Sequence, residues 1–285
     1  MRWQSGRRSS NVEDRRGTRI VRSRGFKGGI GTVVIVLAVS YFLGIDPSTL
    51  LNSGIIDTGG GTQTTTAPQS AEQNQLAEMA STVLAGTEDT WSQIFQNANQ
   101  SYIPPKMVLF SGLVQSACGT AQAAMGPFYC PGDQKVYLDL DFYNELKNKM
   151  GAPGDFAQAY VIAHEVGHHV QKLLGISDQV QAARQRISQT EYNELSVRLE
   201  LQADCFAGIW ANRADKEQGW LEAGDLDEAL NAASQIGDDT LQKKAQGYAV
   251  PDSFTHGSSA QRVKWFRRGY TTGNVNQCDT FNSQI

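Results

Sequence analysis

Residues 155–174 read DFAQAYVIAHEVGHHVQKLL, and this stretch decides how the rest of the chain must fold. Its apolar residues recur with a helical period, Asp155 is available as an N-cap, and Gly175 follows as a stop. The pattern predicts one buried helix. The chain has four histidines, and three of them lie in this stretch: His164, His168 and His169.

The spacing of the histidines favours a metal site. Positions four apart on a helix are one turn apart, so His164 and His168 face the same side and can share one ion. Glu165 lies about 100° around the helix and can reach a water on that ion without binding it. Gly167 leaves room for a close neighbour, and His169 points away, which indicates a supporting role. The competing interpretation is a helix with ordinary core or surface histidines.

A catalytic zinc ion needs three protein ligands and an open position for water. Leu174 occupies the place where an HExxHxxGxxH motif has its third histidine, so a carboxylate must complete the set. We choose Glu200, which opens a small, apolar helical run. Asp204, one turn further on, can accept a hydrogen bond from the distal nitrogen of a ligand histidine. Glu191 and Glu194 are the alternative ligands.

Composition and charge bound the remaining possibilities. The chain has 285 residues, 40% of them hydrophobic, enough for one good-sized domain or two small ones, and its net charge of -4 gives no indication of nucleic-acid binding. Nine basic residues precede residue 28, opposed only by Glu13 and Asp14. Basic tails of this kind often bind nucleic acid or anionic lipid, but the residues that follow favour another interpretation.

Residues 28–45 carry no charge and are rich in β-branched side chains. Eighteen residues of helix span roughly 27 Å, which is just enough for a bilayer core. We therefore predict a transmembrane helix at 28–45, with residues 1–27 as a basic cytoplasmic tail. A cleaved signal peptide and a buried core helix are the alternatives. We predict that residues 46–75 form a flexible extracytoplasmic linker and that residues 76–285 form the catalytic domain.

The four cysteines all fall in the part that we place outside the cytoplasm, where disulfides persist. Four cysteines allow three connectivities. We prefer Cys118–Cys130, which brackets a compact segment, and Cys205–Cys278, which ties the C-terminal region to a core helix. A zinc site made of these cysteines is the less favoured alternative, because no CxxC spacing is present.

The remaining patterns predict an α+β fold dominated by helices, with a small β-sheet, in a zincin-like metallopeptidase domain. Alternation predicts strands at 106–111 and 135–140 and a short strand at 127–130. Helical periodicity and capping signals predict further helices at 77–84, 88–97, 191–213, 225–236 and 259–270.

These motifs resemble known metallopeptidases. The pair HExxH and ExxxD resembles the glutamate-zincins. The strings HEVGHHVQ, ELQADCFAGIW and DSFTHGSSAQRVKWF, with ACGTAQAAMGPFYCPGDQKVYLDL upstream, are similar to the bacterial neutral zinc metallopeptidase family. That resemblance implies a single-pass protein of the cell membrane, an extracytoplasmic catalytic domain and one zinc ion.

The resemblance and the helical geometry imply the same mechanism. Zinc held by His164, His168 and Glu200 activates a water, and Glu165 takes its proton and delivers it to the leaving amine. The segment Gly126–Tyr129 could align an extended peptide as an added strand.

The fourth histidine, His256, precedes a predicted helix, and a donor beyond the metal commonly stabilises the oxyanion in zinc peptidases. His256 followed six positions later by Arg262 also resembles the C-terminal segment of membrane-associated glutamate-zincins. We therefore predict His256 as an oxyanion donor, with Arg262 orienting it. The alternatives are that His256 caps a helix or packs on Trp265, and that Arg262 is an ion-pair partner on the helix surface.

The function predicted from these residues is a membrane-anchored zinc endopeptidase with a peptide or protein substrate. Two alternatives remain at this point: an idle anchored interaction protein with a structural zinc, and a zinc hydrolase acting on a non-peptide amide. Glu165 argues against the first, since a structural site has no need of a base. The sequence does not separate the endopeptidase from the second.

Overall fold

Helices contain most of the described residues in the computed structural model, which covers residues 1–20, 64–66, 69–122 and 126–285. The strands within these ranges are β1 (Val12–Asp14), β2 (Thr18–Ile20), β3 (Thr64–Thr66), β4 (Lys106–Phe110), β5 (Leu113–Ser116), β6 (Gly119–Gln122), β7 (Phe128–Cys130) and β8 (Lys135–Asp139). The helices are α1 (Ala71–Asn97), α2 (Asp141–Asn148), α3 (Asp155–Leu173), α4 (Ile176–Ala183), α5 (Gln189–Lys216), α6 (Asp225–Gln235), α7 (Asp238–Gln246) and α8 (Ser259–Thr272), with 3-10 turns at Pro251–Ser253 and Val275–Cys278. The arrangement is a helix-dominated α+β fold with small sheets.

The main sheet has the strand order β1-β4-β8-β7. β1 and β8 both run parallel to β4, whereas β7 pairs antiparallel with β8 and forms one edge. β5 and β6 pair with each other as a separate hairpin. The strands predicted at 106–111, 135–140 and 127–130 are present as β4, β8 and β7.

The first long helix differs from its prediction. Instead of two helices at 77–84 and 88–97, α1 runs unbroken from Ala71 to Asn97. Gly86 does not interrupt it, because Trp220 and Trp210 cover this position, and a Cβ there would lie 3.0 and 3.2 Å from their rings. The local helix propensity of glycine favours a break at Gly86, but tertiary packing keeps the helix continuous there.

Residues 1–16 belong to the same compact unit as residues 69–285, and residues 17–68 form a second unit. In the second unit the described strands β2 and β3 pair antiparallel. The prediction of a separate cytoplasmic tail over residues 1–27 is therefore wrong for residues 1–16.

Both apolar burial and ion pairs hold the N-terminal residues in place. Trp3 is 5% exposed and belongs to the main hydrophobic core. The backbone N–H of the residue before it donates to the carbonyl of Trp220 at 2.7 Å. Arg7 forms ion pairs with Glu88 and Asp89 at 3.0 and 2.7 Å. Arg7 and Arg8 thus meet acidic partners on α1, whereas Arg2 pairs with Glu222.

The predicted transmembrane helix at 28–45 lies outside the described residues. Among the helices of the described ranges, none is both long and apolar enough to cross a bilayer. The predicted membrane localisation, with its cytoplasmic N-terminus, is accordingly corrected. A physical reason is that residues 1–16, assigned to the opposite side of the membrane from the catalytic domain, are part of the same compact unit as residues 69–285.

Both predicted disulfides are confirmed. Cys118–Cys130 joins the turn between β5 and β6 to the edge strand β7. Cys205–Cys278 joins the middle of α5 to the 3-10 turn that follows α8. The two bonds therefore fasten the hairpin and the C-terminal region to elements of the core.

Glycines allow the three central helices to approach closely. Gly208 on α5 and Gly269 on α8 face the backbone of the opposite helix, which a Cβ at either position would overlap. At the crossing of α3 and α5, a Cβ on Gly167 would lie 3.0 Å from the backbone of Ala203. The room predicted at Gly167 is thus filled by α5, which brings the next turns of both helices together.

Candidate metal centre

The crossing of α3 and α5 places three donor groups around one point. The Nε2 atom of His164 lies 3.2 Å from one carboxylate oxygen of Glu200, and the Nε2 atom of His168 lies 3.4 Å from the other. One ligand atom from each residue lies within 4.8 Å of the other two. Of the alternative ligands, Glu191 caps the start of α5 with Ser188, and Glu194 is exposed.

Fixed hydrogen bonds orient both imidazoles towards this point. The Nδ1–H of His164 donates to Asp204 at 2.9 Å. The Nδ1–H of His168 donates to the amide oxygen of Gln171 at 2.9 Å, and the amide nitrogen of Gln171 in turn donates to the carbonyl of Leu199. With Nδ1 of each imidazole engaged in this way, Nε2 is the nitrogen directed at Glu200, and it is the atom that would bind a metal ion after losing its proton.

The donor set fits zinc. Two imidazole nitrogens and one carboxylate oxygen form the His₂Glu combination that holds catalytic zinc and leaves a fourth position for water. Glu200 is largely buried with its partners, so the three groups form a compact cluster with limited access to solvent. His164, His168 and Glu200 would hold the ion.

Asp204 is a fully buried hub behind His164. Besides the imidazole, it accepts hydrogen bonds from the Tyr160 hydroxyl at 2.5 Å and from the Nε and Nη2 atoms of Arg262 at 2.9 and 3.0 Å. Asp204 thus has the hydrogen bond to a ligand histidine that was predicted. Arg262 is also buried and contacts Asp204, Tyr160 and His164, so it is neither a surface ion-pair residue nor in hydrogen-bond contact with His256.

The charges around the site favour a cation. Burial by itself lowers the pKa of His164, but the charge and hydrogen bond of Asp204 outweigh it and raise the pKa to about 10. Burial likewise opposes ionisation of Glu200, but the two imidazoles outweigh it and hold the pKa of this carboxyl well below its usual range. The negative potential that favours protons on the imidazoles also favours a divalent ion between them.

Glu165 lies beside the donor group without belonging to it. Its side chain is buried, and its carboxylate accepts a hydrogen bond from the backbone N–H of Tyr129 on β7. Burial raises the pKa of Glu165 above its usual value, although the neighbouring imidazoles act in the opposite direction. A carboxylate in this environment is suited to accept and return a proton.

His169 supports the edge strand from the other face of α3. Its Nε2–H donates to the carbonyl of Ile103 at 2.6 Å, so its Nδ1 accepts from the hydroxyl of Tyr129 at 3.0 Å. Burial lowers the pKa of His169. The neutral imidazole thus holds Tyr129, whose backbone N–H contacts Glu165. This is a supporting role of the kind predicted for His169.

His256 lies on the loop before α8, with a side chain that is 52% exposed. Asp238 at the start of α7 holds this loop: its carboxylate accepts the backbone N–H groups of Thr255, His256 and Gly257. Asp238 also lies 3.3 Å from Nδ1 of His256 and raises the pKa of the imidazole, and the charge of Glu200 acts in the same direction. The charges of Asp238 and Glu200 therefore favour the protonated form of the His256 imidazole.

The comparisons with known proteins agree with this geometry. A family model described as "Putative neutral zinc metallopeptidase" matches residues 1–281. The chain belongs to this family. Its relatives in the zinc metallopeptidase family include the uncharacterized protein YpfJ of Escherichia coli, which is 50% identical over 293 residues covering all of both chains. The uncharacterized proteins Mb2605 of Mycobacterium bovis and Rv2575 of Mycobacterium tuberculosis are each 38% identical over 258 residues, covering 86% of this chain and 85% of theirs. No solved structure matches the chain.

Sequence reasoning missed several residues of this candidate metal centre. Gln171 could have been found, since it lies three positions after His168 on the same helix. Tyr160 lies one turn before His164 and could have been found in the same way. Tyr129 and Asp238 come from other elements, and no spacing in the sequence connects them with the HExxH motif.

Proposed function

We propose that this protein is a zinc-dependent endopeptidase that hydrolyses peptide bonds with a metal-activated water. The observation that carries the proposal is the position of Glu165, buried next to His164, His168 and Glu200 but not one of the three donors. A zinc site that served only structure would have four closed ligands and no use for a buried carboxylate beside them. Membership of the zinc metallopeptidase family supports the same conclusion.

Each side chain then has a defined task. Zinc, when bound, lowers the pKa of its water to about 7 and polarises the scissile carbonyl. Glu165 accepts the proton of the attacking water and passes it to the leaving nitrogen, while the Tyr129 N–H keeps the carboxylate in place. Asp204 fixes the tautomer of His164 and balances the positive charge that develops there.

His256 donates to the oxyanion of the tetrahedral intermediate. Asp238 fixes the loop through three backbone N–H groups and favours the protonated imidazole, so the donor is pre-positioned and charged. A pre-positioned donor of this kind stabilises charge in the transition state without reorganisation.

The edge strand supports a peptide substrate over another amide. Among the described strands β7 pairs with β8 alone, and the backbone N–H of Tyr129 is directed at Glu165. This edge of β7 therefore lies beside the reacting carboxylate. An extended peptide can add to this edge by main-chain hydrogen bonds, which places its carbonyl beside Glu165.

The proposal is tested with the full chain, because residues 1–16 belong to the core. Zinc content and cleavage of a mixed peptide library are measured for the wild type, Glu165→Gln and Glu200→Ala, with Glu194→Gln as an exposed control on α5. Glu165→Gln should keep one zinc and lose about 10²- to 10⁴-fold in kcat, the usual contribution of a general base. Glu200→Ala should lose zinc, and Glu194→Gln should behave as the wild type.

Three results would count against this function. Zinc loss in Glu165→Gln would make this residue a ligand. Normal zinc content in Glu200→Ala would transfer the ligand role elsewhere. Absence of chelator-sensitive peptide cleavage by the zinc-loaded wild type would reject the endopeptidase.

A further inference from the structure

A cavity of about 470 Å³ lies between the first half of α5 and the segment that leads into α8. It falls within the 300–1,000 Å³ typical of ligand pockets and is large enough for any single amino-acid side chain. Ten residues line it: Thr190, Asn193, Glu194, Val197, Pro251, Asp252, Phe254, Ser258, Gln261 and Ile285.

The two walls of the cavity belong to the helix that carries Glu200 and to the segment that carries His256. On α5, Asn193 lies two turns before Glu200 and on the same face of the helix, with Val197 one turn before it. On the opposite wall, Phe254 and Ser258 flank His256 at two residues on either side. The two walls meet where Gly257 packs on α5: a Cβ there would lie 3.2 Å from Val197. The helix that supplies Glu200 and the loop that supplies His256 thus also supply the cavity.

Hydrogen bonds hold the cavity open in a fixed shape. The side-chain amide of Asn193 donates to the backbone carbonyl of Asp252 at 2.9 Å and bridges the two walls. Ser258 and Gln261 form a capping box at the start of α8, with the Ser258 N–H donating to the Gln261 amide at 2.9 Å. A preformed pocket binds a side chain without a large ordering cost.

The lining combines apolar walls with an acidic rim. Val197 is 7% exposed, Phe254 is half-buried, and Pro251 and Ile285 complete the apolar surface. Two exposed residues, Glu194 and Asp252, carry the only charged side chains among the ten lining residues, and both are acidic. The cavity therefore suits an apolar side chain on a peptide whose neighbouring residues are basic and not acidic.

We propose that this cavity is a specificity subsite that receives a bulky apolar side chain of the peptide substrate, next to the scissile bond, with Val197 and Phe254 as its selecting residues. The inference rests on the proposed endopeptidase function and adds its substrate class: peptides with an aromatic or long aliphatic residue flanked by basic residues.

The test profiles the cleavage of a peptide library by the full-length, zinc-loaded protein. Wild type should prefer a bulky apolar residue at one position beside the cleaved bond. Val197→Phe fills the cavity and should shift that preference towards small residues by at least about tenfold, the scale of one or two methylenes in an apolar pocket. Phe254→Ala, on the half-buried loop, enlarges the cavity and should relax the preference. Leu195→Phe is the matched control, since Leu195 lies on the same helix but lines a different cavity.

A second measurement avoids turnover. The best wild-type substrate is titrated into zinc-loaded Glu165→Gln protein with and without Val197→Phe. The added phenylalanine should weaken the binding of the bulky peptide and leave that of its alanine-substituted counterpart unchanged. Asp252→Asn should reduce the preference for lysine over glutamate beside the apolar residue, most clearly at low salt.

The outcomes separate the two proposals. If the wild type cleaves peptides but Val197→Phe and Phe254→Ala leave the profile unchanged while both variants melt as the wild type does, the subsite is wrong and the peptidase stands. An equal shift caused by Leu195→Phe would also overturn the subsite. If the zinc-loaded wild type cleaves no peptide, the proposed function itself fails.

Discussion

At the residue scale, the two ligand histidines differ in what holds their second nitrogen. A charged carboxylate, Asp204, holds His164, whereas a neutral amide, Gln171, holds His168. The first partner was predictable from the ExxxD spacing. The second was not proposed from the sequence, although its position three residues after His168 places it within reach on the helix.

Gln171→Leu should weaken zinc binding by about 10- to 100-fold, because His168 loses the partner that fixes its tautomer. Gln202→Leu is the matched control: it removes a buried partner of Gln171 but leaves the contact with His168. Competition with a metal-binding dye measures the affinity, and urea unfolding measures stability. Equal zinc affinities for the two variants would contradict the assigned role of Gln171.

His256→Ala should retain zinc and lower kcat by about 10²-fold or more, the usual loss for one oxyanion donor. An unchanged turnover number in the zinc-loaded variant would remove His256 from the active site.

The pH profile gives a second test at this site. The hydrogen bond to Asp238 on α7 raises the pKa of His256, Glu200 on α5 also raises it, and Arg262 on α8 opposes them. The donor form exists below this pKa and is lost as the pH rises through it. Asp238→Asn should therefore move the alkaline limb of kcat to lower pH, whereas Asp239→Asn, whose partner is Ser259, should leave it in place. Identical limbs in both variants would show that His256 does not donate as a cation.

At the element scale, the site depends on how closely α3 and α5 cross. Gly167 and Ala203 are in contact at this crossing, and the proposed ligands of the two helices lie within one turn of it. The HExxH spacing predicts that the two histidines share a face, since this follows from helical geometry alone. It does not predict which acidic residue of α5 lies opposite, because that depends on the register of the crossing.

Gly167→Ala should destabilise the protein by about 1–3 kcal/mol, because the new Cβ presses on the backbone of α5 at 3.0 Å. The displaced helix carries Glu200, so zinc affinity should fall as well. Chemical unfolding of the zinc-free protein and a zinc titration measure the two effects. Wild-type values for both would mean that the helices can separate without moving the ligand.

The short strands were harder to predict than the helices. β1 has only three residues, Val12–Asp14, two of them charged, and its pairing partner β4 begins at Lys106. Local patterns cannot indicate a pairing across such a distance. Because this pairing is invisible in local patterns, residues 12–14 were predicted to lie in an N-terminal tail and not in the sheet.

At the scale of the whole molecule, the N-terminal segment is part of the catalytic unit. Trp3→Ala should lower the free energy of unfolding by about 3–5 kcal/mol, since this side chain is 5% exposed in the main core. Gln4→Ala, at an exposed neighbouring position, should have no measurable effect. Denaturant unfolding of the full chain measures the free energy of unfolding of each variant. Equal values for the two variants would place residues 1–16 outside the folded unit.

The sequence by itself determined the local chemistry of this protein. His164, Glu165 and His168 are ordered by the helical repeat, Asp204 follows Glu200 by one turn, and the capping box of Ser258 and Gln261 marks the start of α8. The disulfide pairing could also be preferred from the sequence, because Cys118–Cys130 brackets a compact segment and Cys205–Cys278 ties the C-terminal region to a core helix. Such features depend on residues close in the chain, or on simple choices among few alternatives.

Contacts between residues that are far apart in the sequence became known only from the tertiary structure. It placed Asp238 behind His256, Tyr129 against Glu165 and Arg262 on Asp204, and it brought residues 1–16 into the core. These contacts arise from the packing of α3, α5 and α8 and from the pairing of β1 with β4. Periodicity and propensity describe one element at a time, whereas the register between elements is fixed by close packing of side chains that are far apart in the sequence.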